Sequence, residues 1–273
     1  MATLLENVLH QLKAERRKAL VAYLTAGDPN LAFTSEIIPA LANAGVNAIE
    51  LGVPFADPVG DGPVIQDSVQ RALQHDVAIG DVLKLVEQVR ENGAEIPIVL
   101  FSYHNPVFSF GYERLATEAR DVGVSGILVV DLPPEESSEY RAVFNKAGVN
   151  TVFLATPLTE EKRLPLVNEC TSGFCYYVSR TGTTGGDHGM SRTLGAEIAR
   201  VKTFISTPIL VGFGIQTPEH ARKVGQIADG VIVGSAFVEC IARARDENDA
   251  KFQIIALARR LREGLDQSNE IGK

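Results

Sequence analysis

No apolar run in this chain approaches the roughly 20 residues that a membrane-spanning helix needs, so no membrane association is expected. No basic run stands out either. With 26 Lys and Arg against 34 Asp and Glu the net charge is −8, which disfavours nucleic acid as a partner. Small anions remain possible ligands, because backbone N–H groups can hold them locally. Cysteine is scarce and odd in number. Cys170, Cys175 and Cys240 give neither a disulfide framework nor a metal-type pair, and they read as reduced thiols of a cytoplasmic protein. Arg16, Arg17 and Lys18 follow the apolar residues of the N-terminal segment, the reverse of a secretory signal. The histidines are scattered. His10, His75 and His220 read as surface residues, while His104 and His188 fall on loops. There is no His/acid cluster to hold a metal and no Ser-His-Asp set. No linker, repeat or low-complexity stretch divides the chain, so residues 1–273 are expected to form a single domain.

What the chain does contain is a repeating alternation. Short runs rich in Val, Ile, Leu and aromatics recur at 19–25, 48–53, 97–103, 126–131, 151–156, 174–179, 208–213 and 230–235. Most are continuously apolar, as befits strands buried on both faces of a parallel sheet. Helical stripes lie between them: Ile37, Ile38, Leu41 and Ala44; Leu83, Val86 and Val89; Leu115, Ala119 and Val122; Tyr140, Val143, Phe144 and Ala147. Asp81 reads as an N-cap, and Thr217-Pro218-Glu219 as cap, first-turn proline and first-turn acid. Gly45, Gly123 and Gly148 follow as stops. Strand then helix, eight times over, predicts an α/β fold, a single-domain (β/α)8 TIM barrel. A doubly wound open sheet is the structural alternative. Leu4, Leu5, Val8, Leu9 and Leu12 add an N-terminal helix within residues 1–18 that caps the barrel floor, and the polar tail at 266–273 is expected to fray.

The second strand holds an anomaly. Glu50 sits inside the apolar run Ala48-Ile49-Glu50-Leu51-Gly52, facing the barrel interior if Ala48, Glu50 and Gly52 alternate inward. Burying a carboxylate is costly unless it is paired or used. A loop dense in Gly, Pro and Asp follows, with Asp57 and then Asp61 between two glycines. An acid on a rigid strand and a second on a loop suit proton transfer. For Asp57, turn geometry is an equal explanation. A second, independent signal lies after the seventh and eighth strands, where Gly212-Phe213-Gly214 and Gly234-Ser235 stand at the two loops that commonly bind phosphate in barrels. The glycine-rich stretch from Gly182 to Gly185 on the sixth loop could close over the same group. Tyr23, Phe101, Leu128 and Tyr176 lie on strands. Core packing accounts for them, and they could also wall a flat aromatic ligand.

These residues resemble one family. Leu24-Thr25-Ala26-Gly27-Asp28-Pro29, the stretch from Glu50 to Pro63, and Gly212-Phe213-Gly214-Ile215 with Gly234-Ser235 look like the tryptophan synthase alpha subunit family. Asn105-Pro106, Asp131-Leu132-Pro133 and Ser179-Arg180-Thr181-Gly182 support the likeness, in order along nearly the whole chain. The resemblance implies a carbon–carbon lyase of tryptophan biosynthesis. Indole-3-glycerol phosphate would undergo retro-aldol cleavage to indole and glyceraldehyde 3-phosphate. By the same resemblance Glu50 and Asp61 are the catalytic acids, and Tyr176, Phe101, Leu128 and Tyr23 surround the indole. Gly185, Gly214, Gly234 and Ser235 hold the phosphate, with Phe213 among the substrate contacts, and Thr184 bonds Asp61 when the loop closes. Pro54, Asp57, Asn105, Pro106, Asp131 and Pro133 would face a beta subunit in an alpha-beta-beta-alpha tetramer. This chain would need no cofactor, pyridoxal phosphate belonging to the beta subunit. The chain departs from the family pattern at His104 and at the loop tip 186–190. The absence of tryptophan suits an enzyme made when tryptophan is scarce. Three other readings stand beside this one: a binding or activating subunit with weak catalysis of its own, a free-standing lyase that releases indole, and another phosphosugar barrel such as a phosphoribosyl isomerase. The last lacks an acid at the end of the first strand, where Thr25 and Ala26 stand.

Overall fold

The structure is a computed structural model that describes residues 2–179, 193–212 and 214–268. Its strands are β1 (Ala19–Thr25), β2 (Ala48–Gly52), β3 (Ile98–Ser102), β4 (Gly126–Val129), β5 (Asn150–Val152), β6 (Leu154–Ala155), β7 (Cys175–Val178), β8 (Ile209–Gly212) and β9 (Gly230–Val233). All pair in parallel, in the order β5-β4-β3-β2-β1-β9-β8-β7-β6. The two ends of that order, β5 and β6, are consecutive pieces of one strand parted at Phe153, whose carbonyl still accepts the Tyr176 N–H at 3.0 Å. The sheet therefore closes, as eight staves, into the expected (β/α)8 barrel, and the open-sheet alternative falls away.

The helices are α1 (Leu4–Ala14), α2 (Leu31–Asn43), α3 (Pro63–Leu73), α4 (Ile79–Glu91), α5 (His104–Phe110), α6 (Tyr112–Asp121), α7 (Ser138–Ala147), α8 (Leu164–Cys170), α9 (Leu194–Lys202), α10 (Pro218–Gly225), α11 (Ser235–Arg243) and α12 (Glu247–Asp266). Two apolar layers follow from strand alternation. Outward residues such as Leu20, Leu24, Ile49 and Leu51 join the helices in the larger core. Inward residues, among them Val21, Ala48, Val99, Leu128 and Leu210, form a smaller core with Leu5, Leu9 and Leu12 of α1. The start of α1 is fixed by a reciprocal cap, Glu6 N–H to Thr3 Oγ1 at 3.1 Å and Thr3 N–H to Glu6 Oε2 at 2.9 Å. Asn150 at the start of β5 donates to the other Glu6 oxygen at 2.9 Å. The helix is thus bolted to the strand N-termini, which leaves the carboxyl ends of the strands open.

Three details differ from the sequence expectations. Asp81 is not an N-cap. Helix α4 begins after Ala78, and Asp81 is its third residue, whose carboxylate accepts the Ala78 N–H at 3.3 Å. Alanine has no oxygen to cap with, so the acid one turn in supplies the contact. Helix α3, after the second strand, and helix α5, after the third, are not among the stripes read from the sequence. Helix α5 has only seven residues, and α3 buries Ser68 among Ile65, Val69 and Ala72, which blurs its apolar stripe. At the other end, Ser268 is buried, its hydroxyl on the Leu265 carbonyl at 2.6 Å, and residues 269–273 lie outside the described residues.

Candidate active site

Glu50 lies in the middle of β2, paired in register with Tyr23 on one side and Val99 on the other. It is 1% exposed, and its Oε1 has no hydrogen-bond partner. A buried carboxylate with an empty acceptor position is far costlier as an anion than as an acid. Burial first, and the negative charge of Asp61 second, push the Glu50 carboxyl up to about 8. At neutral pH it carries its proton.

Asp61 reaches the same space from the loop between β2 and α3. Burial pushes it up to about 6, and a hydrogen bond from Tyr103 opposes that rise. The loop is shaped by its own backbone, with Val59 N–H on the Asp57 carbonyl at 2.9 Å and Asp61 N–H on the Pro58 carbonyl at 3.0 Å. Gln66 Nε2 donates to the Asp61 carbonyl at 2.8 Å from the first turns of α3. The Tyr103 hydroxyl also accepts the Gly60 N–H at 2.9 Å. Sequence reasoning missed Tyr103, which looked like the last apolar residue of the third strand. Its position there, next to a loop that starts with His104 instead of another apolar residue, was the available signal.

Aromatic rings wall the mouth. Tyr23 meets Phe101 edge-on, with ring centroids 5.4 Å apart. The Tyr23 hydroxyl stands over Gly52, where an added Cβ would lie 2.3 Å from it, and the Tyr176 hydroxyl stands over Gly212 at 2.2 Å by the same measure. Two glycines thus make room for two phenols inside the barrel. Leu128 is fully buried in the inner core, one strand from Phe101, its register partner. On the far side of the mouth, Gly214 has φ +79°, a conformation that favours glycine. Gly234 precedes α11, and its carbonyl takes the N–H of Phe237 at 2.9 Å, so Ser235 opens the helix with the first-turn N–H groups at its start. Thr184, Gly185 and Phe213 lie outside the described residues, as do His188 and the loop tip 186–190.

The loop that carries Asp61 is braced through α3. Asp28, fully buried after β1, takes both Nε and a terminal nitrogen of Arg71 at 2.7 Å. Asp57, Asn105 and Asp131 are exposed at the rim, Pro106 and Pro133 half-buried, and Pro54 buried beneath them. Asp131 accepts the His104 N–H at 2.6 Å, which ties the fourth loop to the start of α5, and the His104 ring pairs with the Tyr112 hydroxyl at 2.5 Å. Among the described residues, no group of three or more His, Cys, Asp or Glu could hold a metal ion, and no helix is long and apolar enough to cross a membrane.

A closed parallel barrel with a proton-bearing glutamate at its heart and a second acid at its rim defines an enzyme of the (β/α)8 class, built for acid–base chemistry at the carboxyl ends of its strands. Within that class the chain belongs to the tryptophan synthase alpha chain family, whose sequence model matches residues 9–266. It is 46% identical to the tryptophan synthase alpha chain of Geobacter sulfurreducens over 233 residues, 85% of this chain and 88% of that one. The same identity holds over 235 residues with the alpha chain of Pelobacter propionicus, covering 86% and 88%. Its fold superimposes on the crystal structure of tryptophan synthase subunit alpha from Legionella pneumophila with a TM-score of 0.91 at 37% identity, covering 98% of this chain and all of the other. The chain is thus a carbon–carbon lyase of tryptophan biosynthesis that cleaves indole-3-glycerol phosphate, and the isomerase reading gives way.

Proposed function

We propose that Glu50 and Asp61 carry the proton transfers of this cleavage. The supporting observation is the split between their environments: Glu50 is held protonated in the strand while Asp61, at about 6, is mostly ionised at pH 7. Indole leaves poorly as a carbanion, so its C3 must be protonated first. Glu50 donates that proton, and the ring becomes a cation with its charge centred on the indole nitrogen. Asp61, as the carboxylate, stabilises that charge at the N–H. Glu50, now the base, removes the proton of the glycerol hydroxyl next to the scissile bond. The C–C bond breaks as its electrons return to the ring, which releases indole and glyceraldehyde 3-phosphate and leaves Glu50 protonated again. The ring is the electron sink, so the chain needs no cofactor of its own. Tyr23, Phe101, Leu128 and Tyr176 pack the indole, while Gly214, Gly234 and Ser235 hold the phosphate with Gly185. Thr184 bonds Asp61 on closure.

The partner is a tryptophan synthase beta subunit, which carries pyridoxal phosphate and takes the indole on to tryptophan in a cytoplasmic alpha-beta-beta-alpha tetramer. Large apolar side chains are exposed on the loops that follow strands: Val59 at 73%, Phe108 at 65% and Leu158 at 66%. Leu158 borders a cavity of about 430 Å³ whose wall includes Asp131 and Pro133. These features support docking at the mouth of the barrel, beside the acids, where indole would leave.

Indole release from indole-3-glycerol phosphate, measured for the purified chain alone and with a beta subunit, tests the reading. Release that rises with the partner is expected. Full activity alone, unchanged by the partner, would instead favour the free-standing lyase.

A further inference from the structure

The Arg16-Arg17-Lys18 run has no part in the chemistry above, and the fold gives it a place of its own. It lies at the end of α1, on the barrel floor, opposite the active-site mouth. There it borders a cavity of about 570 Å³, within the usual range for a small-molecule site. Lys13, Arg16, Arg17, Lys18 and Lys202 line this cavity, against one carboxylate, Asp229, in a chain whose net charge is −8. Lys202 is paired with Asp229 at 3.3 Å, and Arg17 sits 3.4 Å from Glu15. Lys18 donates to the Ala228 carbonyl at 2.9 Å. The side chains of Lys13 and Arg16 have no ion-pair partner among the described residues, and both are exposed. Thr207 also lines the cavity, and its hydroxyl is buried without a hydrogen-bond partner.

The backbone adds a further oddity. Helix α1 ends with Arg17 N–H on the Leu12 carbonyl at 2.7 Å and Arg16 N–H on the Lys13 carbonyl at 3.1 Å. That is the double bond of a Schellman ending, in which the left-handed residue is usually glycine. Here it is Arg16, at φ +56°.

We infer that this floor cavity binds a small anion carrying at least two negative charges, clasped by Lys13, Arg16 and Lys202 with a hydrogen bond from the Thr207 hydroxyl. Such a ligand would satisfy the unpaired Lys13 and Arg16 and the orphaned Thr207 hydroxyl together, and would share Lys202 with Asp229. It would also bridge the end of α1 to the segment that leads into β8, and so favour the folded chain by mass action.

Titration of the full-length protein with pyrophosphate, followed by amide NMR, tests this. Saturable shifts are expected at Arg16, Arg17, Lys18, Lys202 and Thr207, absent with sodium chloride at equal ionic strength. The double variant Lys13→Gln/Arg16→Gln should weaken that binding about tenfold, and binding should weaken as salt is raised. Thr207→Val, nearly isosteric, should weaken it while the chain stays folded by circular dichroism. Shifts confined to the barrel mouth, shifts reproduced by chloride, or an affinity that neither variant changes would overturn the inference.

Discussion

The Tyr103 hydroxyl accepts the Gly60 N–H at 2.9 Å and lies beside the Asp61 carboxyl, so one phenol from the end of β3 holds the backbone that carries the acid and also lowers the acid's proton affinity. That contact favours the ionised form of Asp61 against the burial that opposes it. If cleavage needs Asp61 ionised and Glu50 protonated, kcat/KM rises with pH through about 6 and falls through about 8. Tyr103→Phe should move the acidic limb to higher pH and leave the alkaline limb in place. Asp61→Asn should abolish the acidic limb and lower the rate by roughly 10²–10³-fold. An unchanged acidic limb in Tyr103→Phe would show that Asp61 does not set it.

Glu50→Gln is expected to lower indole release by roughly 10²–10⁴-fold. It also has a signature in stability. The folded acid titrates near 8 against an ordinary 4.5, so between those values the folded state holds a proton that the unfolded state has lost. The stabilisation is complete below about 4.5 and is lost as pH rises through about 8. Thermal melts of the wild type should therefore lose stability from pH 5 to 8.5 more steeply than melts of Glu50→Gln. Parallel slopes would show that the buried acid is not protonated in the fold.

Gly212→Ala tests the space under Tyr176. The new methyl would stand 2.2 Å from the phenol oxygen, inside a packed barrel, so the ring must shift. The expected result is a loss of about 1–3 kcal/mol in urea unfolding and a raised KM for indole-3-glycerol phosphate. Gly80→Ala is the control. Its Cβ would find its nearest neighbour, Phe110, at 3.8 Å, and α4 should tolerate it without loss.

Arg71→Leu leaves Asp28 buried without its bidentate partner. A cost of about 3–5 kcal/mol is expected in chemical denaturation. Burial already raises the Asp28 carboxyl more than Arg71 lowers it. Without Arg71 it rises further, so the variant should be weakest at high pH, where the unfolded carboxyl is ionised. A loss independent of pH would point to packing alone.

Phe108→Asp places a charge on an apolar side chain that is 65% exposed at the rim. Affinity for a beta subunit, measured by calorimetry, should fall about tenfold or more, while indole release by the isolated chain stays unchanged. Wild-type affinity in the variant would place the docking surface elsewhere.

The alternation of apolar runs and helical stripes by itself determined the barrel, because strands buried on both faces and helices buried on one leave different periods in the chain. It also singled out Glu50, since a carboxylate inside an apolar strand is a local anomaly. Glycines after the seventh and eighth strands were legible for the same reason: they are local departures from helix and strand. What a side chain meets across the barrel was not local, and tertiary structure decided it. The pairing of Tyr103 with Asp61 joins residues 42 positions apart, and that of Asp28 with Arg71 joins residues 43 apart. The phenols over Gly52 and Gly212 belong to neighbouring strands. The protonation of Glu50 is of this kind as well, because desolvation comes from the surrounding staves and not from its own sequence neighbours. Likewise, Arg16, Arg17 and Lys18 read only as a short basic run until closure of the barrel set them beside Lys202 and Thr207.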